Sequence, residues 1–119
     1  MTYRLERFNS LLQQEISDIL QRQLKDPRLG SFVSITSVEV AADLRHARVF
    51  VSTMGSQDAK HDTIAALTSA VGFIRKELMS RIKARHIPDL TFRMDERIEQ
   101  ADRVLRIMDH INKEENPKG

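Results

Sequence analysis

Apolar side chains recur every third and fourth position over residues 3–24, then every second position from about residue 31. The longer period returns near residue 61, yields once more to the shorter at 90–94, and comes back after 96. This switching between a helical and a strand period within 119 residues is the tightest constraint on the fold. In the first stretch Leu5, Phe8, Leu12, Ile16, Ile19 and Leu20 share one helical face. Lys25, Asp26, Pro27, Arg28, Leu29 and Gly30 then stop the helix. Proline cannot continue the hydrogen-bond ladder, and glycine permits the turn.

Residues 31–40, SFVSITSVEV, read as a strand rich in Val, Ile and Thr. Its inward face is ambiguous, because Phe32, Val38 and Val40 occupy even positions while Val33 and Ile35 occupy odd ones. Residues 41–45 are a turn. A second strand, 46–53, alternates Ala47, Val49 and Val51 against Arg48, Phe50 and Ser52. Strands this close in sequence predict an antiparallel hairpin. Residues 54–60 read as a polar connection, and a helix is expected from about residue 61 to Gly72. Beyond the glycine, Ile74, Leu78 and Ile82 form a buried stripe in a helix that ends at His86, Ile87 and Pro88. Residues 90–94 are a third strand. A last helix over 96–111 presents Ile98, Ala101, Val104, Leu105, Met108 and Ile111, and a polar tail follows. Three strands with helices on one face give an α+β, two-layer sandwich. Residues 1–112 form one domain and 113–119 a flexible tail, since the chain is long enough for one core and too short for two.

Much chemistry is excluded by the residues themselves. No cysteine is present, which removes thiol nucleophiles, disulfides and cysteine-ligated zinc and suits a reducing cytoplasm. The N-terminus lacks the apolar core of a secretory signal, and no run spans a membrane. His46, His61, His86 and His110 lie in four different segments with no ligand partner at helical spacing, so no metal site is expected. Asp95 and Glu96 sit at a strand-to-helix junction, where capping explains them better than acid–base work. Ser80 has no neighbouring base, and none of the four glycines falls in a phosphate-loop pattern. Neither an enzyme nor a cofactor is expected. With no tryptophan and one tyrosine, base stacking is not the main device for any nucleic-acid recognition.

The remaining signal is SAVGFIRKELMSRIKAR, residues 69–85, in which Arg75, Lys76, Arg81, Lys83 and Arg85 face a single acid, Glu77. At 100° per residue, Lys76 and Lys83 lie opposite the apolar stripe, Arg81 and Arg85 flank one side and Arg75 the other. Net charge is only +2, so the placement of these charges matters more than their sum. By charge alone the run is a solvated face, helped by the Glu77–Arg81 spacing, or a phosphate-binding surface. Gly72 ahead of it admits two readings. It is tolerated by close packing or ends a helix, or it bends the following helix outward so that its N-terminal amides meet a phosphate.

The element order is that of a type II KH domain, a single-stranded nucleic-acid binding module whose usual Gly-x-x-Gly loop is replaced here by Ala70, Val71, Gly72. Ala-x-Gly followed by FIRKELMSRI and IPDLTFRMD, with LQRQLKDPRLGSFVSITSVEVAADLRHARVFVS upstream, resembles the ribosome-binding factor A family over about residues 4–108. The resemblance implies a KH-like fold with an Ala-x-Gly kink and no catalysis. It implies binding to the free small (30S) ribosomal subunit and 16S rRNA, late maturation and 5′-end processing of the 16S precursor, and support of growth in the cold. It places RNA contact at Ala70, Gly72, Arg75, Lys76, Arg81, Lys83 and Arg85, with Lys25 and Arg28 as weaker candidates. A monomer is expected when the protein is free. Two rivals stand beside this reading. One is a DNA-binding helix-turn-helix over 64–82, which lacks the expected polar turn. The other is a protein-interaction module using the last helix.

Overall fold

The computed structural model describes residues 2–24, 33–84, 86–97, 104–109 and 111. Its order is α1 (Thr2–Arg22), β1 (Ser34–Val40), β2 (His46–Ser52), α2 (Gln57–Ser69), α3 (Val71–Arg81) and β3 (Asp89–Met94). The strands form one sheet in the order β1-β2-β3. β1 and β2 make the expected antiparallel hairpin, and β3 lies parallel on the other side of β2. A parallel neighbour needs a long crossover, which α2 and α3 supply.

The ambiguous face of β1 is resolved by an irregularity in its register. Ile35 pairs with Val51, Val38 with Val49 and Val40 with Ala47, with the shift falling between Ile35 and Ser37. One extra residue at such a bulge changes the parity of the strand. Ile35, Val38 and Val40 therefore all point inward and are buried, despite their mixed odd and even positions. The rows continue across β3, where Leu90 pairs with Ala47 and Phe92 with Val49. The opposite face carries Glu39, Arg48, Thr91 and Arg93, all exposed.

The helices close the inner face. Leu12, Ile16, Ile19 and Leu20 of α1 meet the sheet rows in one cluster with Leu67 of α2 and Ile74 and Leu78 of α3. Fully burying side chains of this size contributes roughly 1.5–3 kcal/mol each, which outweighs any local preference of the segments. α1 also satisfies backbone groups of β1, an edge strand that would otherwise invite pairing with another chain. Asn9 Oδ1 accepts the Val40 N–H at 3.0 Å, and Gln13 Nε2 donates to the Ile35 carbonyl at 3.2 Å.

Several boundaries differ from the sequence-based expectation. α2 begins at Gln57, inside the segment expected as a polar connection, because the Ser56 hydroxyl accepts the Ala59 N–H at 3.1 Å and caps it. α3 ends at Arg81, where Ile82 turns extended while keeping its side chain buried. Lys83 therefore leaves the helix, and its expected helical pairing with Lys76 is lost. Val104, Leu105, Met108 and Ile111 are exposed, although residues 104–109 are helical. The inner face of the sheet is already covered by the three preceding helices. Ile98, Ala101 and the tail 113–119 lie outside the described residues.

Candidate nucleic-acid interface

α2 and α3 are separated by one residue. Ala70 adopts φ −92°, ψ 0°, its N–H reaches the carbonyls of Ala66 and Leu67 at 3.1 and 3.0 Å, and its own carbonyl accepts the Ile74 N–H at 2.9 Å. It thus closes one helix and opens the next, and no side chain caps α3. The break lies at Ala70 itself; Gly72 is helical, one residue inside α3, and exposed. A Cβ added at Gly72 would meet nothing within 4 Å. Close packing is therefore not what calls for glycine here.

The five basic candidates of the 69–85 run divide sharply. Arg75 is turned back into the molecule. Its guanidinium donates to the carbonyls of Ile87 at 2.8 Å and Pro88 at 3.2 Å, and pairs with Asp89 at 3.3 Å. It holds the chain as it enters β3. Arg81 reaches across to α1, donating to Asp18 at 2.6 Å, Glu15 at 3.2 Å and the Gln23 side-chain carbonyl at 3.0 Å. Hydrogen bonding to Asp18 and then Glu15 raises the Arg81 pKa, and the same bond lowers that of Asp18. Both arginines are engaged in holding elements together.

Lys76 and Lys83 are different. Both are exposed, and neither has an ion-pair partner among the described residues. Arg85, Lys25 and Arg28 lie outside the described residues. Around Lys76 the structure adds residues that charge counting missed. Gly72, Phe73, Met79 and Ser80 are all exposed, and at 100° per residue they fall with Lys76 in one arc of roughly 120°. Phe73 is 42% and Met79 63% exposed. Their positions outside the Ile74–Leu78 stripe, 100° or more from either residue, are the sequence signal that could have revealed them. No acid lies in this arc; Glu77 sits outside it, half-buried, accepting from Gln23 Nε2 at 3.2 Å and 4.0 Å from Arg81. The outer face of α3 thus combines an unpaired cation, a glycine at an uncapped helix start, and exposed apolar groups.

Asp95 serves structure. Its carboxylate accepts the Thr36 hydroxyl at 2.6 Å and the Arg97 backbone N–H at 3.0 Å, besides the Arg97 guanidinium at 2.8 Å. Its own N–H donates to the Val51 carbonyl at 2.8 Å. These bonds, led by those from Arg97 and Thr36, hold its carboxyl well below the usual carboxylate range. The carboxylate thus holds the backbone that follows β3, and it fixes Thr36 within the irregular part of β1. Among the described residues no three His, Asp or Glu side chains converge on a metal-sized site, and no helix is long and apolar enough to cross a membrane.

Comparison with known proteins gives a consistent picture. The family profile described as ribosome-binding factor A matches residues 4–108. A ribosome-binding factor A of Natranaerobius thermophilus is 45% identical over 109 residues, covering 92% of this chain and 82% of that protein. The solution NMR structure of a Thermotoga maritima protein superposes with TM-score 0.71 at 33% identity, covering 78% of this chain and 88% of that one. A Thermus thermophilus ribosome binding factor A homology model, fitted into a cryo-EM map of a 30S-RbfA complex, gives TM-score 0.64 at 22% identity, covering 76% and 94%. At that identity the last comparison speaks for the fold alone.

Proposed function

The chain belongs to the ribosome-binding factor A family, and on that premise we propose that it binds the free small ribosomal subunit through 16S rRNA, with the outer face of α3 as its RNA-contacting surface. It acts by occupancy, without catalysis or cofactor: it holds an immature rRNA conformation during late maturation, including 5′-end processing of the 16S precursor, and leaves when the subunit is ready. Support of growth in the cold follows from the same role, because misfolded RNA pairings are slower to resolve at low temperature. The protein works in the cytoplasm as a monomer when free. The order α1-β1-β2-α2-α3-β3 supports a type II KH-like reading of the domain (residues 1–112), with the Ala70 break in the place of the nucleic-acid loop.

The observation that carries this reading is the acid-free outer face of α3, centred on Lys76 and starting at an uncapped helix end. A lysine without a protein partner gains by displacing counterions from a phosphate backbone, and helix-terminal amides favour the same anion. A helix-turn-helix is disfavoured because one residue, Ala70, separates α2 from α3, where a turn of about three to four residues is expected. The test is sedimentation of a cell extract through a sucrose gradient. The protein is expected with free small subunits and not with translating ribosomes. Its presence throughout the translating fraction, or its absence from both, would exclude the proposal.

A further inference from the structure

α3 carries large apolar groups on both of its faces. Ile74 and Leu78 are fully buried, and their placement explains why the helix exists. Phe73 and Met79 lie outside the core cluster, and each keeps a large part of its side chain exposed on either side of Lys76. Leaving an aromatic ring partly exposed forgoes a share of the roughly 1.5–3 kcal/mol that full burial of such a side chain contributes. The backbone that carries the ring is fixed, because its neighbouring residue, Ile74, is in the core.

We infer that Phe73 is a stacking platform for one unpaired base of the bound RNA, with Lys76 on the phosphate beside it. This rests on the RNA-binding reading above and narrows it to single-stranded RNA at this face. Three features favour a splayed nucleotide over other occupants. First, residues three apart on a helix lie about 5–6 Å apart at Cβ, so Phe73 and Lys76 present a π-face and a cation on the scale of a single nucleotide. Second, a duplex encloses its base faces and offers only phosphates, 2′-hydroxyls and base edges, none of which an exposed ring can stack on. Third, the centres of protein–protein interfaces are depleted in lysine, whereas Lys76 stands at the centre of this arc with no acid around it. Gly72, beside Lys76 in the arc and without a side chain, leaves the approach to the backbone open. Charge remains the main source of affinity, in keeping with the scarcity of aromatic residues in the chain; Phe73 adds recognition of an unpaired base.

Fluorescence anisotropy with a labelled, unpaired oligoribonucleotide of mixed sequence tests this, with the same strand annealed to its complement as the second probe. The unpaired strand should bind more tightly than the duplex. Phe73→Leu keeps an apolar side chain at an exposed position but removes the π-face, and should weaken single-strand binding about tenfold, within the range for loss of one base stack. Its circular dichroism and Tm should match the parent protein. Lys76→Gln should instead flatten the salt dependence by somewhat less than one unit of slope. Equal affinity for duplex and single strand overturns the inference, as does a Phe73→Leu variant that binds like the parent. A Phe73→Leu variant that loses small subunits but keeps the oligoribonucleotide also overturns it, and assigns the face to a protein. If Phe73→Leu has no effect while Lys76→Glu/Lys83→Glu abolishes binding, stacking fails and the RNA reading stands. If neither changes binding, the RNA reading fails too.

Discussion

Residues of one type in one run divide here between structure and surface. Arg75 and Arg81 look as available as Lys76 when read along the sequence, yet their guanidinium groups are spent on the carbonyls before β3 and on the acids of α1. A planar fork with five donors is well suited to bridging several acceptors, whereas a lysine ammonium on the outer face is left to solvent. The distinction was invisible in sequence, because Glu15, Asp18, Ile87 and Pro88 are brought to these arginines only by the tertiary fold. By contrast, a structural part for Asp95 was legible from its place at the end of β3, where it accepts the Arg97 N–H, and the structure adds its bonds to the Arg97 guanidinium and to Thr36. The sign of its pH effect follows. A carboxyl whose folded-state pKa lies below its ordinary value of 3.8 contributes stability that is complete above that value and is lost as pH falls beneath it. Asp18, lowered chiefly by its bond to Arg81, acts in the same direction. Thermal melts should therefore show Tm steady near neutrality and falling below about pH 4. Asp95→Asn should lower Tm by roughly 5 °C at pH 7 and make the acid-side fall shallower. An unchanged slope in that variant would remove Asp95 as the source.

At the scale of the element, α3 is set by its buried side, and its exposed side is the one proposed to meet RNA. Ile74 and Leu78, spaced four apart, predicted the buried side correctly, since helical period and burial share one cause. The helix ends at Arg81, earlier than the apolar spacing implies, because Ile82 continues that spacing while its backbone has already turned extended. Periodicity reports where a side chain points, and an extended residue can point inward too. The bulge in β1 is the strand counterpart: sequence alternation broke at that point because the register shifts there. Gly72 also belongs to this scale. Glycine costs about 1 kcal/mol against alanine within a helix, a penalty the buried stripe easily exceeds. Since a Cβ there meets open space, Gly72→Ala should fold normally with a slightly raised Tm. Subunit affinity should nonetheless fall several-fold, because the methyl stands where the RNA backbone would approach. A stabilised variant with full affinity would leave glycine without a binding role at this position.

Across the whole molecule, the element order and the one-sided core were readable from switching hydrophobic periods, and the sheet confirms the hairpin. The parallel placement of β3 was not readable, because strand neighbours separated by two helices leave no local mark in sequence. The site was half readable: the break and the basic run stood out, whereas their sorting into bracing arginines and an outward lysine required packing. What emerges is a molecule in which Arg75 and Arg81, with Asp89, Glu15 and Asp18, brace the joints between elements, while an acid-free helix face is turned outward. The most direct measurement of that division is co-sedimentation of the Lys76→Glu/Lys83→Glu variant with purified small subunits, alongside its thermal melt. Both lysines are exposed and unpaired among the described residues, so Tm should stay within a few degrees of the parent protein. Binding should fall at least tenfold and lose part of its salt dependence. A variant that folds as the parent does and sediments with small subunits just as fully would contradict the assignment of this face to RNA.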